Sequence, residues 1–128
     1  MLKLPLFTAK VPAGFPSPAD DFIESKLDLN ELLIKHPAAT FFVRVDGESM
    51  IGAGIHNNDI LVVDRSLEAK HNKIVIAVVN GELTVKRLVK KGEETYLMAE
   101  NIKYSPLKVT EEMSFQIWGV VTAVIHTL

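Results

Sequence analysis

The sequence predicts a mainly β fold: a compact, partly closed antiparallel barrel preceded by an extended N-terminal arm and short helices. Three observations carry that prediction. Five of the six prolines stand in the first forty residues, a short stretch of helical spacing follows Asp20, and from Thr40 onward runs of β-branched and aromatic residues alternate with turn residues. The length fits, since 128 residues at 48% hydrophobic content suffice for one ordinary core and are few for two.

In the arm, Pro5, Pro12, Pro16 and Pro18 remove backbone donors and fix φ, so residues 1–19 are expected to be extended. Leu2, Leu4, Leu6, Phe7, Val11 and Phe15 give this stretch apolar groups that can lie along a groove of its own chain or of a neighbour. From Asp20 the spacing turns helical, with Phe22, Ile23 and Leu27 on one face and Asp20 and Asp21 placed to cap the start. Asp28 and Glu31 resemble a capping box leading into Leu29, Leu32 and Leu33, and His36 and Pro37 end the segment. Strands are then expected over 40–45, 59–64, 73–79, 82–89, 95–99 and 116–127, with Asn80-Gly81 as a tight hairpin turn between two of them. The last run, with Ile117, Trp118, Val120, Val121, Val124 and Ile125, suits either core or a dimer edge, and core is the expectation.

Composition narrows the function. Fourteen basic against sixteen acidic residues argue against a protein that lives mainly by gripping phosphate backbone, so little direct DNA binding is expected. No run approaches the roughly 18–20 apolar residues of a membrane span, and the start lacks a basic region with a long apolar segment. With no cysteine, there are no disulfides or thiolate metal sites. A soluble cytoplasmic protein is the reading.

The stretch with chemical promise is Gly47, Glu48, Ser49 and Met50, where a strand run stops at a glycine-bearing turn. A serine just after a tight turn can be held out from the backbone with neighbouring amides, at Gly47, Glu48 and Met50, near a developing oxyanion. The same tetrapeptide also suits a polar loop whose serine bonds its own backbone. A nucleophilic serine needs a base, and His36, His56, His71 and His126 stand at turns or element ends without metal or nucleophile spacing. Gly52 and Gly54 begin a GxG that does not continue as a phosphate loop. The remaining base is Lys86, inside the run GELTVKRLVKK, where Thr84 and Leu88 share its face and Glu82 and Lys90 lie further along it. Burial must push a lysine amine well below its ordinary value of about 10.4 before it can serve; a solvated strand lysine is the alternative. In the arm, Ala13-Gly14 is a small-residue bond flanked by apolar side chains that a narrow site could admit.

Together VPAGFPSPA, GESM with the following GAGI and NND turn, and ELTVKRL resemble the LexA and UmuD group of self-cleaving serine/lysine peptidases over nearly the whole chain. The resemblance implies a LexA-like β-clip fold, Ser49 as nucleophile, Lys86 as general base, and Ala13-Gly14 as the scissile bond. It divides the chain into a removable arm (1–13), a linker with a short helical segment (14–39) and a peptidase-like β domain (40–128). It implies no cofactor or metal. The partners it implies are a homodimer mate, a RecA filament on single-stranded DNA that promotes cleavage in the SOS response, and the UmuC polymerase subunit in translesion synthesis. Because only thirteen residues precede Gly14, the mutagenesis branch is expected, without a helix-turn-helix domain. Two other readings stay open: a dimerisation or binding module of the same fold whose Ser49 and Lys86 do not react, and a peptidase that cuts other proteins with a similar pair.

Overall fold

In the computed structural model, which describes residues 2–7 and 23–128, the chain forms two compact units, Met1–Lys35 and His36–Leu128. The expected cleavage site, Ala13 and Gly14, lies outside the described residues, as do Asp20, Asp21 and Phe22.

In the first unit β1 (Leu4–Phe7) pairs antiparallel with β2 (Ile23–Leu27), Leu4 standing opposite Leu27. The arm is extended here as expected, but the helical spacing of Ile23 and Leu27 is overruled. A single isolated turn of helix is costly to nucleate, whereas the ladder to β1 satisfies the backbone over the whole run. Helix α1 (Leu29–Leu33) follows, with Asp28 as its N-cap: the carboxylate accepts the Asn30 N–H at 2.9 Å. Glu31 sits in the first turn, where negative charge complements the helix dipole.

The second unit opens on a 3₁₀ turn, Pro37–Ala39, and contains seven strands: β3 (Thr40–Arg44), β4 (Ile60–Asp64), β5 (Ile74–Val79), β6 (Glu82–Lys91), β7 (Glu94–Met98), β8 (Leu107–Lys108) and β9 (Phe115–Ile125). All neighbours pair antiparallel in the order β3-β4-β9-β5-β6-β7-β8. Among the described residues β3 and β8 end the sheet without pairing to each other, so the barrel is open. The two-residue β8 carries too little pattern to be read from sequence, whereas β6 outruns its expected end because Lys90 and Lys91 pair with Thr95 and Glu94. Asn80 (φ 49°) and Gly81 (φ 84°) both occupy the left-handed region, as a two-residue hairpin between right-twisted strands requires.

The last long strand is central in the sheet, but the core expectation for it holds only in part: Val120 is buried, while Trp118, Val124 and Ile125 are exposed. β9 lies between β4 and β5, and its register shifts against each of them, by Thr122 opposite Val62/Val63 and by Trp118 opposite Ile76/Ala77. Such bulges bend and twist a strand, letting one eleven-residue segment serve both halves of a curved sheet. Apolar side chains cover both faces of the central strands. Ile76 joins Met50, Ile55, Leu61 and Val63 in one buried cluster, while its neighbours Val75 and Ala77 join Leu88, Leu97 and Val120 in another. This is why β5 reads as the unbroken apolar run IVIAVV rather than an alternating one. Among the described residues no helix is long and apolar enough to cross a membrane.

Candidate active site

Ser49 stands on the turn between β3 and a 3₁₀ turn, Ile51–Ala53. The chain reverses at Gly47, whose φ of 95° suits a residue without Cβ. Three groups from elsewhere hold the turn. Asn57 Oδ1 accepts the Gly47 N–H at 2.7 Å, Asn101 Nδ2 donates to the Glu48 carbonyl at 2.9 Å, and the Glu100 N–H donates to the Ser49 carbonyl at 2.9 Å. Met50 anchors it from below, with 1% of its surface exposed in the first core cluster. Gly52 lets the backbone close in on the segment after β7, donating its N–H to the Glu100 carbonyl at 2.7 Å. Gly54 (φ 80°) ends the 3₁₀ turn. The two glycines of the broken GxG therefore serve chain packing.

Lys86 arrives from β6, opposite Val75 in the ladder to β5. Its Nζ lies 3.0 Å from Ser49 Oγ, 2.8 Å from Thr84 Oγ1 and 3.1 Å from the Val85 carbonyl oxygen. Among the described residues no carboxylate stands within ion-pair distance of it. Burial with no compensating charge pushes the amine below its usual value. Its three close neighbours are all oxygens, the Ser49 and Thr84 hydroxyls and the Val85 carbonyl. Thr84, picked out in the sequence only as a face neighbour, is thus the residue that orients the amine.

The pair opens onto a cleft of about 220 Å³ bordered by Val43, Arg44, Asp46, Leu83 and Ile76. A second hollow of about 490 Å³ shares Leu83, Thr84 and Lys86 and continues toward Leu107 and Met113. Its lining is mixed apolar and polar.

Two expectations change. The Gly47 N–H is committed to Asn57, so it does not point at an oxyanion. Three of the histidines are half exposed and are not plain turn residues: His36 pairs with Asp64 at 2.6 Å, and both His56 and His126 face the buried carboxylate of Asp59. Asn57, Glu100 and Asn101, which brace the serine turn, were not identified from sequence. The NND turn signal marked Asn57's neighbourhood, while nothing local marks the other two, which reach the turn from half the chain away.

The model of the Peptidase S24-like family matches residues 5–122. The chain is 52% identical to Protein SamA of Salmonella typhimurium over 122 residues, covering 95% of this chain and 84% of that protein. It is 43% identical to Protein MucA of Escherichia coli over 120 residues, 93% of this chain and 82% of that one. Against the LexA repressor of Psychromonas ingrahamii the identity is 40% over 125 residues, 97% of this chain but 59% of the repressor.

Proposed function

The chain belongs to the Peptidase S24-like family, and from that premise we propose that it is a self-cleaving serine peptidase of the LexA and UmuD kind, with Ser49 as nucleophile, Lys86 as general base and its own Ala13-Gly14 bond as substrate. The observation that carries this reading is the 3.0 Å separation of Ser49 Oγ and Lys86 Nζ, with the lysine partly buried and unpaired with any described carboxylate. A non-reacting module of the same fold has no need to hold an uncompensated amine against a hydroxyl.

The arm docks as an extended segment with the Ala13 carbonyl carbon beside Ser49 Oγ. Neutral Lys86 takes the hydroxyl proton as Oγ attacks that carbon, and the oxyanion is met by turn amides at Ser49 and Met50, Gly47 being spent on Asn57. The C–N bond breaks, the Gly14 nitrogen leaves with the proton from the Lys86 ammonium, and an ester joins Ala13 to Ser49. A water then gives a proton to Lys86 as it attacks the ester carbon; the C–Oγ bond breaks while the Lys86 ammonium returns that proton to Ser49 Oγ, and the freed Ala13 carboxylic acid loses its proton to solvent. The products are residues 1–13 and 14–128. In the cell this reaction belongs to the SOS response, is promoted by a RecA filament on single-stranded DNA, and leaves a trimmed homodimer that joins UmuC in error-prone synthesis.

The test is to incubate the purified chain at raised pH, or with RecA, ATP and single-stranded DNA, and weigh the products. A 14–128 fragment is expected from the wild type and from neither Ser49→Ala nor Lys86→Ala. An intact wild type under both conditions, or a Ser49→Ala protein that is cut equally, overturns the reading.

A further inference from the structure

Away from the serine turn, two histidines and an aspartate converge from opposite ends of the β unit. His56 and Asp59 belong to the turn ahead of β4, and His126 follows β9, 67 residues after Asp59. Asp59 is fixed: only 3% of its surface is exposed, and Oδ2 accepts the backbone N–H of His56 at 2.7 Å. The two imidazoles are half exposed and adjustable, their rings 5.1 Å apart at a tilt of 48°. His126 Nδ1 lies 2.5 Å from Oδ1 and His56 Nδ1 lies 3.7 Å from Oδ2, and one potential ligand atom from each residue falls within 4.8 Å of the others.

We propose that His56, Asp59 and His126 form a binding site for a late first-row divalent cation, with zinc as the representative ion. Bonds of about 2.0–2.2 Å to nitrogen and oxygen place tetrahedral ligand atoms roughly 3.3–3.5 Å apart. The two histidine–carboxylate spacings, 2.5 Å to Oδ1 and 3.7 Å to Oδ2, fall on either side of that value, and binding requires both exposed rings to rotate toward one oxygen of the fixed carboxylate. Two imidazoles and one carboxylate favour zinc, nickel, copper or iron over magnesium and calcium, which prefer oxygen. Three protein ligands leave a fourth position for water. The His56 amide already orients the carboxylate, the outer support that ligating carboxylates usually have. Among the described residues no lysine or arginine pairs with Asp59.

The position gives the ion a structural consequence. The turn that supplies His56 and Asp59 also supplies Asn57, which holds Gly47, and Asp59 accepts the Val45 N–H through its carbonyl at 2.8 Å. A bound cation ties this turn to the end of β9 and stiffens the base on which the Ser49 turn rests. The proposal stands independently of peptidase activity.

The experiment is calorimetric titration of the full chain with zinc chloride at neutral pH, alongside thermal unfolding with and without the ion and amide NMR spectra. One zinc per chain is expected, with a raised Tm and spectral shifts centred on His56, Asp59 and His126. His56→Gln and His126→Gln should each weaken binding at least tenfold and abolish the Tm rise, while His71→Gln, whose ring accepts the Lys90 N–H elsewhere, should behave as wild type. No saturable binding, undiminished binding in both site variants, or wild-type shifts centred on His36 or His71 would overturn the proposal. The spectra decide the matter on the wild type even if a variant fails to fold.

Discussion

Replacing Gly52 by alanine tests whether the serine turn is positioned by its contact with the segment after β7. A Cβ at this residue meets the Glu100 carbonyl oxygen at 2.7 Å, where ordinary contact begins at 3.4 Å. The obstacle is backbone, so no rotamer relieves it. The turn must retreat by about 0.3–0.7 Å, stretching the bonds from Gly52 N–H to Glu100 O and from Glu100 N–H to Ser49 O. Overpacking of this kind costs about 1–3 kcal/mol, and for a domain of this size each kcal/mol lowers Tm by roughly 4–8 °C. The cleavage rate should fall about tenfold, given that a misplacement of about 1 Å in reacting groups costs on the order of 100-fold. Gly119→Ala is the control: its Cβ meets the Val63 side chain at 2.6 Å and the Asp64 carbonyl oxygen at 3.1 Å, a clash between β9 and β4 away from the Gly52–Glu100 contact. The readouts are Tm by circular dichroism and fragment formation well below either Tm. A Gly52→Ala protein with wild-type Tm and cleavage refutes the close-contact argument. Equal slowing in Gly119→Ala would assign the effect to general stability rather than to the position of Ser49.

Two further predictions concern charge. Burial lowers the Lys86 pKa in the folded chain, so between that lowered value and the unfolded value of about 10.4 the unfolded chain holds the extra proton, and stability rises with pH across this window. Lys86→Met should therefore be more stable than wild type in denaturant at pH 7, with the difference shrinking toward pH 10; a less stable variant at pH 7 contradicts the uncompensated amine. Asp64 gives a slope of the same sign but from a charge that folding favours: hydrogen bonds from Ser66 and the neighbouring His36 hold its carboxyl below the usual range. The stability it adds is present above the unfolded pKa of about 3.9 and is lost as pH falls through the lower folded value. Asp64→Asn should thus be the weaker protein in urea at pH 7 and indistinguishable from wild type once pH falls below both values; a gap that persists in strong acid would show that packing, not charge, is responsible.

What the sequence determined by itself is local. Runs of β-branched residues, the Asn80-Gly81 turn and the Asp28 cap depend on chemistry within a few residues, and so do the strand segments and hairpin they specify. Ser49 and Lys86 were legible as residue types in a suggestive setting, a turn after a strand and a lysine on an otherwise half-apolar face. Tertiary structure decided what depends on partners far along the chain. Ile23–Leu27 became a strand because Leu4–Phe7 supplies its ladder. The final run became the middle of the sheet because two bulges let it pair on both sides. Asp59 acquired two histidines because β9 ends beside the turn before β4. The 3.0 Å meeting of Ser49 and Lys86 belongs to this second class, since neither residue fixes it. It depends on a turn pinned by Asn57, Glu100 and Asn101 and a strand held in register by β5, and spacing along the chain carries no information about either.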